Sequence, residues 1–145
     1  MTQSFDFAHA PGHLIRRAQQ IAVAVFAEHL AAFDVTPVQF AILNALMDAP
    51  GTDQVSLAAR VAFDAATFGS VIGRLETKGW VRREASAQDR RRKLLWLTPK
   101  GKKAVIEMSP RVTQAQALIL QPLQAQEQQQ LVALLGKLVS AQSRV

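Results

Sequence analysis

Cysteine is absent from the 145 residues. This excludes disulfides, thiolate metal sites, a thiol nucleophile and thiol-based redox sensing together, and it fits a reducing compartment. Long apolar runs are missing too. No stretch reaches the roughly 20 residues that span a bilayer, and Met1-Thr2-Gln3-Ser4-Phe5-Asp6 lacks the basic start and apolar run of a secretory leader. The expectation is a soluble, cytoplasmic chain with no membrane partner. Signatures of catalysis are as scarce. Of the three histidines, His9 and His13 stand four apart across Ala10-Pro11-Gly12, without the intervening glutamate of a His-Glu-x-x-His zinc motif and without any cysteine to join them. There is no Gly-rich phosphate loop, no adjacent carboxylate pair, and no histidine close in sequence to Ser56 or Ser70. Neither enzymatic activity nor a cofactor or metal is expected.

What the chain does have is apolar content, 49% of its residues, in a length suited to a single domain with a real core. No Pro/Gly/Ser-rich linker or internal repeat divides it. The formal net charge is +6, and its placement says more than its size. Nine of the 17 basic residues fall between Arg82 and Lys103, opposed only by Glu84 and Asp89. That segment alone carries +7 and the remainder −1. A near-neutral chain with one basic segment has the electrostatic footprint of a protein that binds a polyanion. A solvated charged face is the alternative reading, and the neighbouring segments weigh against it.

Apolar residues at three- and four-residue spacing from Pro11 to Phe33 predict a long amphipathic helix. Thr36-Pro37-Val38-Gln39 then supplies an N-cap, a first-turn proline and a capping-box glutamine, opening a second helix that Ala49-Pro50-Gly51 stops. Two short helices follow, the first capped by Ser56. The second carries Phe68, Val71, Ile72 and Leu75 inward and ends at Gly79. Its other positions, Thr67, Gly69, Ser70, Gly73 and Arg74, make a small, hydroxyl-bearing face suited to close approach to another macromolecule. Trp80–Glu84 and Lys93–Leu97 read as a β-hairpin whose tip, Ala85 to Arg92, is polar and basic. Thr98-Pro99 opens a further helix, with Pro110 and Pro122 as candidate kinks or breaks. The Gln-rich patch Gln124–Gln130 reads as the start of a last helix, which lines up Leu131, Leu134, Leu135, Leu138 and Val139.

Helix, helix with a small polar face, then basic hairpin is the order of a winged helix-turn-helix: the second helix enters the major groove and the hairpin follows the backbone. The fold class expected is mainly α with a small β-hairpin wing (α+β), flanked by N- and C-terminal dimerisation helices. The stretch from Thr36 to Gly101 resembles the MarR family of transcriptional regulators. The resemblance is carried by Thr36-Pro37-Val38-Gln39-Phe40, by Arg74-Leu75-Glu76-Thr77-Lys78-Gly79-Trp80-Val81-Arg82-Arg83, and by Asp89-Arg90-Arg91-Arg92-Lys93 leading into Leu97-Thr98-Pro99-Lys100-Gly101. It implies one domain over 1–145, with the DNA-binding region at about 34–101 and dimerisation helices at 10–33 and 102–145. It further implies a homodimer on a palindromic operator, released by a small molecule that is often phenolic or aromatic.

Carried over by position, Thr67, Ser70 and Arg74 lie on the recognition helix and Arg90, Arg91 and Arg92 on the wing, with Asp89 orienting a wing arginine by a charge-assisted hydrogen bond. Ala65, Ala66 and Gly69 stand where many relatives have polar groups, which favours wing contacts and DNA shape over dense base readout. For Arg82, Arg83, Lys102 and Lys103, simple solvation is expected. The apolar faces of the first and last helices exceed what the winged domain needs for its own core, so a second copy is expected to cover them.

His13, Arg16 and Arg17 stand at i, i+3 and i+4 on the first helix. An arginine beside a histidine suits a carboxylate. In the resembling family the cleft between dimer helices and winged domain takes effectors, which the second helix would line with Phe40, Leu43 and Asn44. An aromatic carboxylate effector is the expectation, against the alternative of exposed helix charges. Two other classes stay open: a non-inducible architectural DNA binder, and a basic module that binds protein or RNA.

Overall fold

The computed structural model describes residues 3–141. It is mainly helical with one small antiparallel hairpin, as a winged helix-turn-helix requires. The ends of the expected 1–145 unit, Met1-Thr2 and residues 142–145 of the segment expected to dimerise, lie outside the described residues.

Helix α1, Pro11–His29, starts on a first-turn proline and buries only Phe26. It is shorter than the periodicity predicts. Leu30 breaks the helix, and Ala31–Phe33 form a 3-10 turn that ends on Asp34 in the left-handed region at φ 49°. The turn keeps Leu30 and Phe33 directed at the core, which is why the apolar spacing continues past the helix end. Helix α2, Pro37–Asp48, has the expected capping box: Gln39 N–H donates to the Thr36 hydroxyl at 3.2 Å, and Thr36 N–H to Gln39 Oε1 at 3.0 Å.

Helix α3, Gln54–Arg60, is capped by Asp53 and not by Ser56. The helix begins three residues sooner than expected because Gly51–Asp53 pair with the hairpin: Gly51 N–H donates to Leu95 O (2.9 Å), Leu95 N–H to Thr52 O (3.0 Å), and Asp53 bridges Leu94. Helix α4, Ala65–Thr77, is capped by Asp64. It closes as a Schellman motif, with Gly79 at φ 77° donating to Glu76 O (2.9 Å) and Trp80 N–H to Leu75 O (3.1 Å).

Strands β1, Val81–Ala85, and β2, Lys93–Leu97, pair in the register Val81 to Leu97 and Arg83 to Leu95. Leu95 and Leu97 reach the core while Arg82 and Trp96 occupy the outer face. Helix α5, Pro99–Leu120, is capped by Thr98. Its first turn abuts the hairpin so closely that a Cβ on Gly101 would stand 2.1 Å from the Trp80 carbonyl oxygen. Pro110 does not break α5. Its missing N–H costs one helical bond, but Val105 and Met108 before it and Val112 and Ala115 after it hold one continuous inner face.

Pro122 lies in the turn before α6, Ala125–Ala141. The glutamine patch starts that helix: Gln124 N–H donates to Glu127 Oε1 at 2.9 Å, while the Gln128 amide donates to Leu120 O and Leu123 O, each at 3.0 Å.

The core gathers Ile42, Leu43 and Leu46 of α2, Leu57 of α3, Phe68, Ile72 and Leu75 of α4, and Leu95 of β2 around Val105 and Met108 of α5. Burying each such side chain stabilises the fold by about 1.5–3 kcal/mol. Among the described residues no single helix is long and apolar enough to cross a membrane.

Candidate nucleic-acid interface

The sequence of α4 alternates inner and outer positions so that two faces form. Phe68, Ile72 and Leu75 are fully buried. Thr67, Ser70 and Arg74 are all exposed and, at i, i+3 and i+7, line up on the outer stripe. The Asp64 carboxylate accepts from Ala66 N–H at 3.1 Å, and the Thr67 hydroxyl leans back to Asp64 at 3.4 Å. The Ser70 hydroxyl donates to Thr67 O at 2.8 Å, which leaves its oxygen free to accept from outside. Gly73, on the same side, has open space where a Cβ would stand. The face is therefore small and polar, with one cation at its C-terminal end.

At the wing, Arg90, Arg91 and Arg92 are exposed on a loop with its own internal bonds. Buried Ser86 receives Gln88 N–H on its hydroxyl (3.3 Å) and donates its own N–H to Arg92 O (2.8 Å). Asp89 shapes the tip, but by a route different from the expected side-chain pair. Its carboxylate accepts the backbone N–H of Arg91 at 3.0 Å, and its carbonyl accepts Arg92 N–H at 2.9 Å. The aspartate thus presents Arg90 and Arg91 by fixing the turn and not by holding a guanidinium.

Arg92 has a partner that the sequence did not disclose. Its guanidinium donates to Asp53 Oδ1 at 3.0 Å, tying the wing to the start of α3. Asp53 also accepts the Ser56 hydroxyl (2.7 Å) and the Ser56 N–H (3.1 Å). The two Ser56 bonds, then the bond from Arg92, hold its carboxyl down from 3.8 to about 2 against the opposing effect of burial.

Arg83 corrects the expectation of simple solvation. It donates to Glu76 Oε1 of α4 at 2.7 Å and to Gln54 Oε1 of α3 at 3.1 Å, so one guanidinium spans strand, recognition helix and preceding helix. Arg82 pairs with Glu84 and lies 5.3 Å from the Trp96 ring centre, and Lys103 stands 3.9 Å from Glu107. Lys102 lines a cleft of about 300 Å³ beside Arg82 and Trp96. No sequence pattern marks the long-range pairs, because each joins residues distant in the chain.

The candidate effector residues divide. His13 and Arg16 come together, with Arg16 Nη2 donating to His13 Nδ1 at 3.1 Å under the Phe7 ring. Arg16 shares a stripe with Gln19 and Val23, which line a crevice of about 100 Å³ between α1, α2 and α5. Arg17 is turned about 100° away on the same helix. On α2, Phe40 and Asn44 share a stripe with crevice-lining Pro37, and the Phe40 ring lies 6.5 Å from that of Phe26. Leu43 departs from the expectation. It is fully buried in the core, on the inward side of α2.

Comparison with known proteins places this geometry. The MarR family model matches residues 33–92. The transcriptional regulator HosA of Escherichia coli O157:H7 is 34% identical over 121 residues, covering 80% of this chain and 90% of HosA. The chain belongs to the MarR family. The transcriptional repressor NicR of Pseudomonas putida is 30% identical over 137 residues, covering 94% of this chain and 87% of NicR.

Among solved structures, the PcaV regulator of Streptomyces coelicolor in complex with its natural ligand superposes with a TM-score of 0.86 at 33% identity, covering 97% and 99% of the two chains. BpsR of Bordetella bronchiseptica, whose DNA binding is regulated by 6-hydroxynicotinic acid, gives 0.88 at 34% identity, covering 94% and 97%. The repressor CouR bound to a 23-mer DNA duplex gives 0.87 at 25% identity, covering 96% and 99%. As a MarR-family regulator the protein acts by binding, not by catalysis, and DNA-binding homodimers are typical of the family.

Proposed function

We propose that this MarR-family regulator represses a catabolic or efflux operon from a palindromic operator and is released by a small aromatic carboxylic acid. Thr67, Ser70 and Arg74 read the major groove while Arg90, Arg91 and Arg92 engage the backbone or minor groove beside it. In this reading Arg92 exchanges its Asp53 pair for phosphate as the wing docks. The two reading heads, coupled through the helices at 10–33 and 102–145, meet half-sites about 34 Å apart.

The effector occupies the crevice between α1, α2 and α5. The observation that carries this is the placement of Arg16, on one stripe with Gln19 and Val23 and hydrogen-bonded to His13. Its fork matches two carboxylate oxygens, and Phe26, with the Phe40 ring beside it, supplies an apolar wall. BpsR responds to a hydroxylated aromatic acid, which supports the ligand class.

Two experiments test the reading in order. Selection of bound fragments from sheared genomic duplex at two salt concentrations should recover one palindromic site. Retention without sequence enrichment would favour an architectural binder instead. Calorimetry with 4-hydroxybenzoate should then show heat with the wild type and Arg17→Ala, and at least tenfold weaker binding with Arg16→Ala. Equal heats for all three would remove Arg16 from the site.

A further inference from the structure

Lys78 ends the recognition helix, yet its side chain does not run out into solvent. Its ammonium donates to Phe33 O at 3.0 Å and to Asp34 O, and stands 3.9 Å from the Asp34 carboxylate. It also lies 4.6 Å from the centre of the Trp80 ring, and the side chain is only 24% exposed. These bonds bridge 44 and 45 residues of sequence. Their acceptors are the carbonyls left over where the 3-10 turn closes, the same groups a C-terminal cap would satisfy.

The same junction is gripped from the other side. Arg111 of α5 lies over the Phe33 ring at 5.7 Å, and Phe33 packs against the core. One short turn, at the C-terminal end of α1 and the approach to α2, therefore touches α5 through a ring and the recognition helix through an ammonium.

We infer that Phe33–Asp34 is the relay between the dimer helices and the DNA-reading head, with Lys78 as the positioning residue that locks the recognition helix to it. A shift at the end of α1 moves two carbonyls that hold Lys78. Lys78 is the C-cap of α4, so the tilt of the stripe bearing Arg74, one turn earlier, follows. Coupling of this kind is reciprocal: DNA at α4 must tighten the turn at residues 31–34, just as a change at α1 must alter DNA affinity.

The inference rests on the DNA-binding reading and not on the effector. Its probe is the duplex recovered by selection, so a protein that recovers no site fails at that earlier step. Lys78→Met keeps the aliphatic stem against Trp80 and removes the charge. It should raise the duplex Kd about tenfold, within the range of known couplings, and Lys78→Arg should restore most of the affinity. The salt dependence separates positioning from direct contact. A lost phosphate contact lowers the slope of log K against log salt by about one, whereas a lost position leaves it unchanged.

Hydrogen–deuterium exchange on the wild-type dimer gives a reading that needs no variant: the duplex should slow exchange at residues 31–34 at least twofold. Unchanged exchange there, wild-type affinity in Lys78→Met, or a slope reduced by one would each overturn the relay.

Discussion

Asp53 uses both oxygens of one carboxylate, with Oδ2 on the Ser56 amide and Oδ1 shared by the Ser56 hydroxyl and the Arg92 guanidinium. It caps a helix and anchors the wing at once. Because its folded carboxyl is held at about 2, below its ordinary 3.8, the stabilisation is complete above pH 4 and disappears as pH falls through 2. The shift corresponds to about 2 kcal/mol. Urea unfolding should therefore show Asp53→Asn less stable than wild type by roughly that amount at pH 6, with the gap closing between pH 4 and 2. A gap independent of pH would mean that the residue works through shape alone. Local sequence gave no hint of this residue's importance. Ser56 and Asp53 are both good caps, and the choice between them is made by Leu94 and Arg92, some forty positions away.

At the scale of elements, what was legible was what is local. The capping box of α2, the first-turn prolines, Gly79 and the second strand are each decided within a few residues, and they stand where the sequence places them. The end of α1 falls short of the apolar periodicity because a 3-10 turn carries the same apolar spacing as the helix before it. The site was legible as a charge pattern but not as a set of partners. Arg83 and Arg92 look like their neighbours in the string, yet both are struts.

The wing's orientation toward α4 depends on the Arg83–Glu76 pair, whose members are about one-third exposed. Arg83→Met and Glu76→Gln should each loosen duplex binding several-fold. In a double-mutant cycle the double variant should lose no more than the worse single one, with a coupling of about 1 kcal/mol in stability. Additive losses would show that the two side chains serve separate purposes.

Over the whole molecule, apolar surface is distributed unevenly. Leu14 and Ile21 of α1 and Leu134, Leu135 and Leu138 of α6 are 43–66% exposed, while the core residues of the winged region are sealed. In a family where homodimers are typical, this pattern fits the proposal that a second copy covers the end helices. Leu134→Glu with Leu138→Glu places two charges on one α6 face. It should convert the dimer to a monomer in analytical ultracentrifugation and weaken duplex binding at least a hundredfold, with a midpoint of unfolding that no longer rises with protein concentration. A variant that stays dimeric and binds normally would move the interface off α6.

The missing Cβ of Gly101 has a mechanical meaning. Where α5 meets the Trp80 carbonyl there is no room for a side chain, so the first turn of the helix sits directly on the start of the hairpin. At 22 residues α5 is a rod of about 33 Å. Tilting it by some 10° at the dimer end swings the far end through about 6 Å, close to the pitch of one helical turn. In the proposed dimer on its operator, a rearrangement too small to notice at the base would thus be magnified, by plain leverage, into a misfit between two heads and two grooves.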